Sequence, residues 1–130
     1  PMVNQLEANV LSQQTEIREV MKEYGTKVMA WGPVAQGKAD IIENEALEEL
    51  GKKYGKSAAQ IGLRFLTQEG IAAIPKSSNP ERIAANIDIF DFELNEEEMT
   101  VLRAMNATDA GTRDYSYLPY VSKLIGQKVL

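Results

Sequence analysis

The chain has 130 residues, of which 44% are apolar and 25% charged, and a net charge of −5. That length suits one domain with a buried core, and the acidic balance argues against a general nucleic-acid binder, which shows a basic face. With no cysteine and no histidine, disulfides, thiolate metal sites, cysteine nucleophiles and every histidine-based triad are excluded.

No apolar run approaches the roughly 18 residues of a spanning helix, and no signal peptide is visible, so a cytoplasmic location is the default expectation. The first residue is Pro1. That start fits loss of an initiator methionine, and it also fits a chain cut from something longer.

In chain order, Met2 to Glu7 reads as a strand with polar residues inside it. Ile17, Val20, Met21 and Tyr24 then recur at helical spacing between Thr15 and Tyr24, and Gly25 is a natural stop. Val28 to Trp31 is the second strand, followed by a loop with Gly32, Pro33 and Gly37. The next helix places Leu47, Leu50, Gly51 and Tyr54 on one face and ends at Gly55. Ser57 to Gln60 has the pattern of a capping box, which opens a helix carrying Ile61, Phe65 and Leu66 and ending at Gly70. Ile71 to Ile74 is the third strand. Asn79 as N-cap and Pro80 at the first helical position open the helix after it. Asn95, followed by Glu96, Glu97 and Glu98, opens a last helix with Met99, Leu102 and Met105 facing inward. The tail from Gly111, with Tyr115, Tyr117 and Tyr120, reads as an irregular aromatic loop.

Strands alternating with helices imply parallel strands joined by crossovers, an α/β design. Three parallel strands leave two open edges, so the pattern looks like part of a larger sheet or barrel.

One stretch gathers groups that suit an anion. In "PKSSNPER", Lys76 brings charge, Ser77 and Ser78 bring hydroxyls, and the first N–H groups of the Asn79/Pro80 helix point the same way. Arg82 can bind a phosphate with two parallel hydrogen bonds, and Asn86 lies one turn further along the same helix face. A solvated strand-to-helix turn would use the same residue types. There is no GxGxxG motif and no P-loop. Trp31, the single tryptophan, stands where the second strand meets its loop and could stack on a ligand ring or close a core. Gln5, mid-strand, needs a polar partner, from a ligand or from another side chain.

Five segments come in order at natural spacing: "VNQLE" (Val3–Glu7), "VMAWGPVAQG" (Val28–Gly37), "KYGKSAAQIGLRF" (Lys53–Phe65), "IPKSSNPERIAAN" (Ile74–Asn86) and "FDFELNEEEM" (Phe90–Met99). Together they resemble the C-terminal part of the aldo-keto reductase family, up to about Asn106. The resemblance implies a (β/α)8 TIM barrel, with residues 1–130 as its sixth, seventh and eighth strands and their helices, and 107–130 as a tail that shapes the substrate pocket.

It also implies bound NADP(H). By resemblance, Gln5 holds the nicotinamide carboxamide, Trp31 stacks on the nicotinamide, and Gly32 and Val34 belong to the loop around the pyrophosphate. Lys76, Ser77, Ser78 and Arg82 belong to the turn gripping the adenosine 2′-phosphate, and Asn86 contacts the adenine. Ala85 departs from the Glu that many members have beside that Asn. Two cations favour NADP(H) over NAD(H).

The family's catalytic Tyr, Lys, Asp and His come from the first half of the barrel, so none is expected in this chain, and no metal site is. The implied activity is reduction of aldehydes or ketones to alcohols by a parent oxidoreductase. Its partners would be a small carbonyl substrate and the first half of the barrel. The 130-residue chain alone is expected to be inactive. An alternative is a non-catalytic half-barrel that binds NADPH or self-associates through its open edges.

Overall fold

The structure, a computed structural model, describes residues 1–37 and 39–107. Three parallel strands form one sheet in the order β1 (Val3–Glu7), β2 (Lys27–Trp31), β3 (Ala72–Ala73). Six helices accompany them: α1 (Thr15–Glu23), α2 (Ala39–Ile42), α3 (Glu45–Tyr54), α4 (Ala58–Gln68), α5 (Pro80–Ile87) and α6 (Glu96–Ala104). The connections β1–α1–β2 and β2–α2–α3–α4–β3 are the crossovers that parallel pairing demands.

Register assigns the two faces of the sheet. Leu6 pairs with Ala30, and Ala30 with Ala73, and this rung faces the helices. Gln5 pairs with Met29 and Met29 with Ala72, and this rung lies on the other face, as does the Glu7–Trp31 pair. Among the described residues the helices cover only the first face. Its core joins Val28 and Ala30 of the sheet to Phe65, Ile61 and Leu66 of α4 and to Leu102 of α6. Phe65 is fully buried, and that burial alone is worth about 1.5–3 kcal/mol.

The helix ends form as their residues demand. Ser57 accepts from the Gln60 N–H while Gln60 Oε1 accepts from the Ser57 N–H, and Asn95 and Glu98 make the same reciprocal pair. Gly55 closes α3 at φ +66, a left-handed cap that suits glycine. Three expectations need correction. The third strand is two residues long, extended only by the Ile74 N–H donating to Ala30 O at 3.0 Å. The four-residue α2 has no counterpart in the sequence reading. The apolar stripe of the first helix is largely uncovered: Met21 is buried, but Ile17, Val20 and Tyr24 are exposed. Helix α1 packs on β2, and no further layer lies beside it among the described residues. The tail residues Tyr115, Tyr117 and Tyr120 lie outside the described residues.

A candidate cofactor site at the C-terminal strand ends

The candidate residues come from two groups, one on β1, β2 and the loop after β2, the other beyond the C-terminal end of β3. The first is carried by β1 and β2. Gln5 is exposed on the face that the helices leave uncovered, and Trp31 ends β2 half-buried, opposite Glu7 in the register. The chain leaves β2 through a tight loop with φ +61 at Gly32, +47 at Ala35 and +77 at Gly37. A positive φ at Ala35 strains a residue with a Cβ, and such strain collects at functional loops. The loop holds itself in shape: the Ala35 N–H donates to Gly32 O and the Gly37 N–H to Val34 O, both at 2.9 Å.

The second group follows β3. Lys76 and Arg82 are both exposed, and among the described residues neither side chain makes an ion pair or hydrogen bond. Four other basic side chains, Arg18, Lys53, Lys56 and Arg103, are paired internally, as in Arg18–Glu69 and Lys56–Asp88. The turn between the two cations is built from its own side chains. Ser77 Oγ accepts from the Asn79 N–H at 3.1 Å and lies 3.3 Å from Asn79 O. Asn79 Oδ1 accepts from the N–H groups of Glu81 (2.8 Å) and Arg82 (3.2 Å).

That last pair corrects one expectation. The N–H groups at the start of α5 are not open donors, because the N-cap side chain already takes two of them. What the turn could offer an anion is therefore the side chains of Lys76 and Arg82 and the exposed Ser78. Half-buried Asn86 lies one turn beyond Arg82 and, with Ser77, borders a cavity of about 450 Å³ whose walls include Ile83, Ile87 and Phe90. No hydrogen bond joins Gln5 to Lys76, Arg82 or Asn86. The structure places the two groups on adjacent strands of one sheet, at the end where parallel α/β proteins bind ligands.

Glu7 was not singled out by its residue type, yet the structure puts it within this region. It ends β1, is 9% exposed, and its carboxyl lies against Gly32. A lone acidic residue at the end of a strand is the signal that could have marked it.

A parallel α/β sheet with candidate binding groups toward its C-terminal strand ends is the arrangement of barrel and doubly wound α/β folds. The chain belongs to the aldo/keto reductase family, whose model matches residues 1–107. It is 44% identical over 107 residues to the 9,11-endoperoxide prostaglandin H2 reductase of Trypanosoma cruzi, covering 82% of this chain and 38% of that protein. It is 43% identical over 106 residues to the glyoxal reductase of Bacillus subtilis, again covering 82% and 38%. Among solved structures it resembles a Gox0644 mutant in complex with NADPH, with a TM-score of 0.79 and 32% identity over 84% of this chain and 40% of that one. The chain thus spans about 38% of the length of these curated relatives. The fold is part of an α/β TIM barrel. No described helix is long and apolar enough to cross a membrane, and the described residues hold no cluster of potential metal ligands.

Proposed function

We propose that this chain is the cofactor-binding part of an NADP(H)-dependent carbonyl reductase, and that residues 1–107 supply the sixth to eighth strands of its barrel. The observation that carries the reading is the pair of exposed cations, Lys76 and Arg82, without an ion-pair or hydrogen-bond partner among the described residues, on either side of a turn that is already folded. Two such cations on a self-supporting turn fit a dianionic phosphate ester such as the 2′-phosphate of NADP(H).

The other residues fit the same ligand. Asn86 is positioned on the face of α5 that also carries Arg82 and has amide groups to offer an adenine. The loop from Gly32 through Val34 is compact enough to lie along a pyrophosphate, and Trp31 at its base presents an indole to the nicotinamide. Gln5 offers its side-chain amide to the carboxamide from the uncovered face of the sheet. When bound, the cofactor supplies a hydride to a carbonyl carbon. This chain's part is to hold and orient it. The proton donor and its supporting residues belong to the other half of the barrel, and the 130-residue chain alone is inactive.

Exposure of Ile83, Ile87 and Phe90 supports this reading over a self-sufficient half-barrel, because that apolar face needs a cover the described residues do not provide. The test is Arg82→Ala in the full-length protein. Losing a charge-assisted bidentate contact costs on the order of 1.5–3 kcal/mol, so NADPH should bind about ten- to a hundredfold more weakly while NADH is little affected. Equal weakening of both cofactors would refute the 2′-phosphate assignment.

A further inference from the structure

Side chains alternate along β1, and on the face without helices Val3 and Gln5 are exposed. Glu7 shares that face and is nonetheless 9% exposed. The loop leaving β2 lies against it. A Cβ built on Gly32 would stand 3.5 Å from Glu7 Oε1 and 3.7 Å from its Cγ, at a residue whose φ is +61. The backbone around Glu7 is tied to both neighbours. The Ala8 N–H donates to Trp31 O at 3.2 Å, and Gln14 Nε2 donates to Glu7 O at 2.8 Å.

We propose that Glu7 is a positioning residue, whose buried side chain under Gly32 fixes the left-handed exit from β2 and so sets the Trp31 ring and the Gly32–Val34 loop for the cofactor. This rests on the reading of that loop given above. The geometry explains two sequence features together. Gly32 suits its positive φ, and a Cβ there would rest in van der Waals contact with the side chain beneath it. Ala35 tolerates φ +47 because the turn is braced at its base as well as by its own hydrogen bonds.

The experiment compares Glu7→Ala, Glu7→Gln and Gly32→Ala with wild type. NADPH affinity is measured in the full-length protein, and Trp31 emission in the 130-residue chain, where it is the only tryptophan. Glu7→Ala should weaken NADPH about tenfold, the scale of a small misplacement of binding groups, and shift the Trp31 emission. Glu7→Gln, with the same shape and reach, should restore both. Gly32→Ala sets a Cβ on a backbone at φ +61, in contact with the same side chain, and should weaken NADPH similarly, so the idea stays testable if Glu7→Ala fails to fold. Wild-type NADPH affinity in Glu7→Ala or in Gly32→Ala, or an unmoved Trp31 spectrum in Glu7→Ala, overturns the proposal and leaves the cofactor assignment standing. A wild-type protein that binds no NADPH overturns both.

Discussion

At Gly51, in the middle of the buried face of α3, an added Cβ would collide with the carbonyl oxygen of Lys56. The chain turns back there: the Lys56 N–H donates to Gly51 O at 2.8 Å, so Lys56 is held against the helix it has just left. Lys56 in turn reaches Asp88 and Asp91 beyond α5, at 2.9 and 2.8 Å. Relief of the collision means moving backbone. Gly51→Ala, which raises helix propensity and would stabilise an open helix, is therefore expected to destabilise this protein by about 1–3 kcal/mol. Urea denaturation of the two proteins checks this, and an unchanged or raised midpoint would show that the turn yields freely. Spacing alone revealed that Gly51 faces inward. It could not reveal that a carbonyl occupies the place of its side chain, because the contact depends on how the next five residues fold back.

Among the elements, α3 and α6 are joined by one carboxylate. Glu98 accepts from Lys53 Nζ and from the Tyr54 hydroxyl while it caps its own helix through the Asn95 N–H. Burial pushes this carboxyl up. The Lys53 ammonium, the Tyr54 hydroxyl and the Asn95 N–H together outweigh that push and hold it below the usual carboxylate range. A carboxyl that titrates lower when folded adds stability that is fully present above its unfolded value, near 4.5, and is lost as the pH falls through the folded value. Glu69 behaves in the same direction: burial raises it, but Arg18 and Arg103 lower it further. Glu98→Gln should therefore make the loss of stability below about pH 4.5 less steep, as read from denaturant midpoints between neutral and acid pH. Parallel curves for the two proteins would rule out Glu98 as a source of acid sensitivity. The capping box of α6 was legible because it is local. Its link to Lys53 and Tyr54, 45 and 44 residues away, was not. Helix α2 escaped notice for a related reason: four residues are too few to show a period. Ile17, Val20 and Tyr24 did show the period, but an apolar stripe records what a helix can bury and not whether a neighbour is there to bury it.

For the whole molecule, the apolar surfaces lie at opposite sides of a sheet with two open edges. Met2, Val3, Ile17 and Val20 are exposed around β1 and α1, and Ile83, Ile87 and Phe90 around α5. Exposed patches flanking unpaired strands promote association. Expressed alone, the 130-residue chain is expected to self-associate as its concentration rises, with sedimentation coefficients that NADPH does not change. A monomer at every concentration would mean that these surfaces are covered by the chain itself. The parallel α/β design was legible because strand and helix signals alternate. The division of the sheet into a covered and an uncovered face was not, since it depends on which layer the helices occupy.

That division has a genetic consequence. Each strand sends alternate residues to opposite faces, so deleting a single codon within β1 exchanges its two sets. Gln5 or Glu7 would then point into the oily layer beneath the helices while Leu6 took the uncovered face. Conservative replacements along β1 alter one role at a time, whereas a reading-frame-preserving deletion removes packing and recognition together. Length variation between relatives should accordingly concentrate in the loops, and the strands should change by replacement alone.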